Sequence, residues 1–128
     1  MLVIDDSPVF VEAVRDVLAS TAEFELMGEA ASGEEGVAMA TRLHPDMVLV
    51  DVLLPGIDGL ETCRRMSSCH PAPFVVLCSV EEDPRDLLPD LPCGAVPFLD
   101  KRSLTAGALV KLWHDRDHDQ RSGDDLLN

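Results

Sequence analysis

The sequence is poor in basic and aromatic residues. Only ten lysines and arginines stand against 24 aspartates and glutamates, and aromatic residues make up 4% of the 128 positions. The formal charge of −14 argues against direct binding to nucleic acid or to an anionic membrane, because both repel an acidic surface. No apolar run approaches the ~20 residues of a membrane-spanning helix, and the first residues do not resemble a signal peptide. These absences favour a cytoplasmic protein.

Cysteine is also scarce, with four residues in the chain: Cys63, Cys69, Cys78 and Cys93. No two of them form a C-x-x-C pair, which weakens a zinc or redox interpretation. Cys78 lies in the apolar run 74–78, where a thiol behaves as a small hydrophobic side chain. We therefore predict reduced cysteines rather than disulfides.

Short apolar runs alternate with helical patterns along the chain. Strands are predicted at residues 2–4, 24–27, 47–50, 74–78 and 96–99. The helices after them are predicted to begin at the caps Ser7, Ser32, Asp58 and Ser103, because short polar side chains satisfy the free N–H groups of a first turn. The alternation predicts a doubly wound α/β domain, a five-stranded parallel sheet with helices on both faces.

One domain over residues 1–114 accounts for this pattern, with its last helix ending near Trp113. Residues 81–92 should hold a fourth helix, although Pro84, Pro89 and Pro92 leave room for at most two turns between them. The acidic tail, 115–128, lacks apolar periodicity until its end, and we predict a flexible extension.

Polar residues follow four of the predicted strands at their carboxyl ends. They are Asp5 and Asp6 after the first, Asp51 after the third, Ser79 after the fourth and Lys101 after the fifth. Ligands of open parallel sheets bind beyond the carboxyl ends of the strands, so these side chains are predicted to converge. Each alone is explained by a cap or a solvated side chain, whereas five together favour a shared site.

The chemistry of such a site follows from its charges. Two carboxylates ~4 Å apart repel by roughly 4 kcal/mol at an effective dielectric of about 20, so three together favour a bound cation. An all-oxygen ligand set suits Mg²⁺. A carboxylate beside that ion can attack phosphorus as a nucleophile, and Lys101 and Ser79 match the donors that the transferred group needs.

The pattern resembles the receiver domain of bacterial two-component response regulators from Leu2 to about His114. The resemblance rests on residues 3–7, 51–59, 94–95 and 98–101 and on Ser79. Residues 27–35 are further similar to receivers that precede a helix-turn-helix output domain, and no such domain follows here. The resemblance implies a flavodoxin-like sheet with strand order 2-1-3-4-5.

The resemblance also implies how the acidic residues act. Asp51 would be the phosphoacceptor, which makes the chain a phosphoprotein that assists its own modification rather than an enzyme. Mg²⁺ would be bound directly by Asp6, Asp51 and the backbone carbonyl of Leu53, with Asp5 acting mainly through water.

The remaining implied roles concern the response to phosphorylation. Lys101 would pair with the phosphate, Ser79 would bond to a phosphoryl oxygen, and Phe98 would rotate inward as Ser79 moves. A histidine kinase is the implied phosphodonor. The partner is a downstream protein or a missing output domain, contacted through the surface of the fourth helix, fifth strand and final helix, and homodimerisation is left open.

Two residues depart from the family pattern. Arg102 stands where a proline usually follows the lysine, which predicts a less constrained loop around Lys101. Val80 stands where a small residue usually follows the switch hydroxyl, and its bulk predicts slow dephosphorylation because it hinders water.

Two other function classes stay open. One is a pseudo-receiver that binds partners without phosphorylation, which the proline-rich segment 81–92 mildly favours. The other is a Mg²⁺-dependent phosphohydrolase of the haloacid dehalogenase type. That class carries a second acid two residues after its nucleophile, whereas this sequence has Leu53 there.

Overall fold

Five strands form one parallel sheet in the computed structural model, which describes the backbone of residues 1–80 and 97–127 and the side chains of residues 1–80 and 97–116. The strands are β1 (Leu2–Ile4), β2 (Gly28–Ala30), β3 (Met47–Asp51), β4 (Phe74–Ser79) and β5 (Phe98–Asp100). Their order is β2-β1-β3-β4-β5, and every neighbouring pair is parallel. The predicted fold and strand order are confirmed.

The described helices lie on both faces of this sheet. They are α1 (Pro8–Ala19), α2 (Gly33–Leu43), α3 (Gly59–Met66) and α4 (Ala106–Leu127), and a 3₁₀ turn at Lys101–Ser103 follows β5. Side chains alternate across each strand, so Val3 packs with α1 and α4 while Leu2 and Ile4 pack with α2 and α3. The central strand β3 is buried along its whole length, as expected for a strand covered on both faces.

Three of the predicted helix caps are confirmed. The hydroxyl of Ser7 accepts a hydrogen bond from the backbone N–H of Phe10, and that of Ser32 accepts one from Glu35. The carboxylate of Asp58 accepts one from Glu61 at 2.8 Å. These caps fix where α1, α2 and α3 begin, and hence where the preceding strands must end.

The second strand lies later in the chain than predicted. Residues 24–27 are irregular, and the strand is Gly28–Ala30, paired with Leu2–Ile4 of β1. The apolar side chains of Phe24 and Leu26, which suggested a strand, instead pack on the core of the α1 face. The hydrogen bonds that define β2 come from the edge of β1, so pairing overrides the weak strand propensity of Gly-Glu-Ala.

The region after β5 also differs from the prediction. Strand β5 is Phe98–Asp100 rather than 96–99, and position 96 lies outside the described residues. Ser103 belongs to the 3₁₀ turn, and Thr105 caps the last helix by accepting from the N–H of Ala108 at 3.0 Å. The predicted cap at Ser103 is wrong because the turn already occupies that position.

The last helix is longer than predicted. It continues past Trp113 to Leu127, so the predicted end near Trp113 is wrong, while the flexible acidic extension over 115–128 stays a prediction. Proline is absent from 106–127, and a formed helix propagates more easily than it nucleates.

The proline-rich segment 81–92, where a fourth helix is predicted, lies outside the described residues. Cys69 and Cys78 carry free thiols, as predicted. Among the described helices, none combines the length and apolar character that crossing a membrane requires.

Candidate functional site

The carboxyl edge of the sheet brings together three carboxylates from two neighbouring strands. Asp5 and Asp6 directly follow β1, and Asp51 is the last residue of β3. One oxygen from each of the three lies within 4.8 Å of the others. Asp5 and Asp51 are buried, while Asp6 is exposed, so the cluster opens to solvent on the side of Asp6.

Local hydrogen bonds hold the two buried carboxylates. The Oδ1 atom of Asp5 accepts from the backbone N–H of Ser7 at 2.8 Å. The Oδ1 atom of Asp51 accepts from the N–H of Leu53 at 3.2 Å. Each carboxylate is thus oriented by the turn that leaves its own strand, and the Oδ2 atom of each faces Nζ of Lys101.

Lys101 is the cation of this cluster. Its Nζ lies 2.6 Å from Oδ2 of Asp5 and 3.5 Å from Oδ2 of Asp51, and its side chain is 11% exposed. The same Nζ stands 4.5 Å from the centre of the Phe10 ring, in the geometry of a cation–π contact. The predicted convergence of Asp5, Asp51 and Lys101 is therefore seen in the structure.

These contacts change the acidity of two groups. Burial, together with the negative charge of Asp5, raises the pKa of Asp51 above its ordinary value of 3.8, although Lys101 and the N–H of Leu53 act in the opposite direction. Burial lowers the pKa of Lys101, but the contacts with Asp5 and Asp51 outweigh it and raise that pKa overall. The site therefore favours the protonated, cationic form of Lys101, whereas ionisation of Asp51 is less favourable in the folded protein than in water.

Asp51→Asn is therefore expected to stabilise the metal-free protein at neutral pH, raising Tm by about a few degrees. A carboxylate whose folded pKa is raised contributes stability below its unfolded pKa and loses it as the pH rises through the folded pKa. The advantage of the variant should thus be absent at pH ~3.8 and grow above it. Thermal unfolding in EDTA across a pH series measures this, with Asp16→Asn on the exposed face of α1 as the equal-charge control. An advantage that shrinks as the pH rises would contradict the expectation.

Ser79 and Phe98 occupy the adjoining strands. Ser79 is the last residue of β4 and only 8% exposed, and it pairs in register with Asp100 of β5. Phe98 is half-buried at the start of β5, where it pairs with Leu77. Both residues lie on strands that flank the cluster, and their roles in binding phosphate and in switching stay predictions.

Val80, the second departure from the family pattern, follows Ser79 directly and is 48% exposed. The slow dephosphorylation predicted from its bulk stays a prediction.

Three residues that the sequence analysis did not assign to the site contribute to it. Phe10, which reads as an ordinary core residue of α1, lies beneath Lys101. Glu34 of α2 accepts a hydrogen bond from the N–H of Ile57 at 3.1 Å and so ties α2 to the loop that follows Asp51. Asp100 accepts from the N–H of Arg102 at 2.9 Å. Of these three residues, only Asp100 could have been connected with the site from the sequence, because it directly precedes Lys101.

The donor set fits a hard divalent cation. Three carboxylates supply oxygen ligands, as Mg²⁺ prefers. Oδ2 of Asp5 is buried and is contacted by Nζ of Lys101 at 2.6 Å. One ammonium among three carboxylates leaves the cluster with an excess of negative charge, and a divalent cation among the three acids would neutralise it.

Comparison with known sequences gives one family over most of the chain. The sequence model of the response regulator receiver domain matches residues 1–112. A protein-glutamate methylesterase/protein-glutamine glutaminase of Syntrophus aciditrophicus is 34% identical over 126 residues, covering 97% of this chain and 33% of that protein. The nitrate/nitrite response regulator NarL of Escherichia coli is 33% identical over 99 residues, covering 77% of this chain and 46% of that protein. The chain thus spans between a third and a half of these two relatives.

Solved structures agree with the sequence comparison. The response regulator domain of CheB from Thermotoga maritima superposes with a TM-score of 0.75 at 27% identity, covering 88% of this chain and 92% of that one. The signal receiver domain of a NarL response regulator from Mycobacterium tuberculosis gives a TM-score of 0.77 at 29% identity, covering 90% and 95%. The similarity therefore includes nearly the whole of each solved domain.

Proposed function

Because the chain belongs to the response regulator receiver domain family of two-component phosphorelay signalling, we propose that Asp51 is its phosphoacceptor and that a histidine kinase supplies the phosphoryl group. One observation carries this assignment: the ammonium of Lys101 joins Asp51 to Asp5 at the carboxyl edge of the sheet. The predicted cytoplasmic, reducing location is part of the same proposal.

Asp51 is the nucleophile in this proposal. One of its carboxylate oxygens forms a bond to phosphorus while the bond from phosphorus to the donor's histidine nitrogen breaks, and the electron pair leaves with the imidazole. The N–H of Leu53 holds Oδ1 of Asp51 and so limits the rotation of the carboxylate. A well-oriented nucleophile removes part of the entropic barrier to transfer.

The charge of the transferred group is met by the neighbours of Asp51. Lys101 supplies a cation that is already in place, and Ser79 supplies a hydroxyl donor from the end of β4. Asp6, Asp51 and the carbonyl of Leu53 are the proposed direct ligands of Mg²⁺, with Asp5 acting through water. When bound, the ion neutralises the carboxylates and the oxygens of the transferred group.

For the partner that receives the signal, we propose only the kind of protein. The two matched relatives contain more chain than the receiver region, so the signal passes to a downstream protein or to an attached output domain. Phosphorylation would shift a pre-existing equilibrium between two conformations, with Ser79 and Phe98 as the moving residues.

The other two function classes are less well supported. A pseudo-receiver does not need Asp51, Lys101 and the acids of β1, yet the structure brings all of them together. A phosphohydrolase of the haloacid dehalogenase type needs a second acid two residues after its nucleophile, and the side chain at that position is the exposed Leu53.

Phosphorylation by a small donor tests the proposal. We expect Mg²⁺ and acetyl phosphate to add one phosphoryl group to each chain, detected by intact mass, and EDTA to prevent it. Asp51→Asn should stay unmodified under the same conditions. Modification of the Asp51→Asn variant would refute the assignment, absence of modification in the wild type would favour the pseudo-receiver, and continuous release of phosphate over many turnovers would favour the phosphohydrolase.

A further inference from the structure

Lys101 is held at the edge of the sheet by a short strand. Strand β5 has three residues, stands last in the sheet and, among the residues that the structure describes, pairs with β4 alone. The side chain of Lys101 must nevertheless extend across β4 to reach Asp51 on β3 and Asp5 after β1. Backbone hydrogen bonds to one neighbouring strand over three residues constrain only weakly the position of a side chain that extends this far.

A second constraint comes from the two residues that flank Lys101. The carboxylate of Asp100 accepts three hydrogen bonds from Arg102: from its backbone N–H at 2.9 Å, from Nε at 3.1 Å and from Nη2 at 2.7 Å. The first bond caps the 3₁₀ turn Lys101–Ser103. The other two form the bidentate arrangement in which a guanidinium binds a carboxylate with defined geometry.

We propose that Asp100 and Arg102 are positioning residues for Lys101, acting as a clamp across the lysine that fixes the turn from which its side chain extends. This inference rests on the proposed function, since it concerns the rate at which Asp51 is phosphorylated. Arg102 stands where the family usually has proline. The clamp supplies by hydrogen bonds a restriction of the backbone that a proline ring would supply covalently.

The clamp is exposed, which separates its effect on rate from any effect on stability. The side chains of Arg102 and Asp100 are 65% and 31% exposed, and ion pairs at such positions contribute little to the free energy of unfolding. The clamp variants should therefore fold like the wild type. A defect in phosphorylation would then report on the placement of Lys101.

The charges of the two residues provide an internal test. Asp100→Asn removes a negative charge near the site and Arg102→Ala removes a positive one. If the pair acted only through its electric field on an anionic donor, the first change would speed phosphorylation and the second would slow it. A positioning role predicts that both changes slow it.

The experiment measures the rate of modification by Mg²⁺ and acetyl phosphate, followed by intact mass, in the full chain. We expect Asp100→Asn and Arg102→Ala each to slow modification by about fivefold to tenfold, because a displaced catalytic group costs rate even when it is present. The double variant should be no slower than the slower single, since contacting residues couple. Arg102→Lys, which keeps the cation, should recover part of the rate. Ser103→Ala in the same turn is the control and should keep the wild-type rate.

The outcomes distinguish this inference from the proposed function. If the wild type is not modified, the proposed function fails. If the wild type is modified and both clamp variants keep its rate, or if Asp100→Asn is faster and Arg102→Ala slower, the clamp is refuted while the phosphoacceptor assignment stands. Additive losses in the double variant would also overturn it, because they would show two independent effects.

Discussion

Lys101→Met is expected to lower the rate of Asp51 phosphorylation about 10²-fold or more, the range found when one preorganised electrostatic donor is removed. The ammonium lies 3.5 Å from Oδ2 of Asp51, so in the proposed transfer it would stand where negative charge gathers on the phosphoryl group. Methionine keeps the length of the side chain and its packing near Phe10. The charge is therefore the main property that changes.

The only other lysine of the chain is the matched control. Lys111 lies exposed on α4, and Lys111→Met changes the net charge by the same amount. We expect that variant to keep the wild-type rate, measured by intact mass with Mg²⁺ and acetyl phosphate. Equal rates in the two methionine variants would contradict the assigned role of Lys101.

Loss of Lys101 should also change how the protein responds to Mg²⁺. Asp5 is almost wholly buried and would lose its cationic partner, and leaving a buried charge unpaired is strongly destabilising. Mg²⁺ should therefore raise the Tm of Lys101→Met more than that of the wild type. Lys101→Arg, which keeps a cation, should fold without added Mg²⁺ and allows the rate to be measured if Lys101→Met is too unstable.

The convergence of Asp5, Asp51 and Lys101 could be predicted from the sequence because these residues occupy the ends of strands. Asp5, Asp51 and Ser79 each follow an apolar run directly, and Lys101 is separated from its apolar run only by Asp100. In a parallel sheet the ends of successive strands meet at one edge, so position along the chain becomes position in space. That inference needs the order and direction of the strands but not their exact bounds, and it holds although β5 begins two residues and ends one residue later than predicted.

Features that depend on contacts between distant segments could not be predicted in this way. Strand β2 is defined by pairing with β1 rather than by its own composition. Phe10 has the spacing of a core residue of α1, and nothing local shows that Lys101 comes to lie over its ring. The hydrogen bonds of Arg102 to Asp100 depend on the 3₁₀ turn. Arg102 stands in place of the usual proline, which predicts a less constrained loop around Lys101, yet its own hydrogen bonds restrain that loop.

Gly59→Ala is expected to lower the free energy of unfolding by about 2–3 kcal/mol, as overpacking does, and to slow phosphorylation of Asp51 about tenfold. Gly59 begins α3, and its N–H donates to the carbonyl of Val52 at 3.0 Å. A Cβ atom here would lie 2.4 Å from the carbonyl oxygen of Asp51 and 2.8 Å from Cα of Val52. Both are backbone atoms, so α3 or the end of β3 must move.

Because the obstructed atoms belong to the backbone of Asp51, the proposed phosphoacceptor, and of Val52, stability and rate should fall together in this variant. Gly107→Ala is the matched control: among the described residues, a Cβ at Gly107 would meet only the Oγ1 atom of Thr105, at 4.0 Å. At an exposed position within α4, alanine is expected to add about 0.5–1 kcal/mol of stability and to leave the phosphorylation rate unchanged. Urea unfolding and the acetyl phosphate assay measure both quantities. A Gly59→Ala protein with the wild-type urea midpoint and rate would show that α3 does not constrain Asp51.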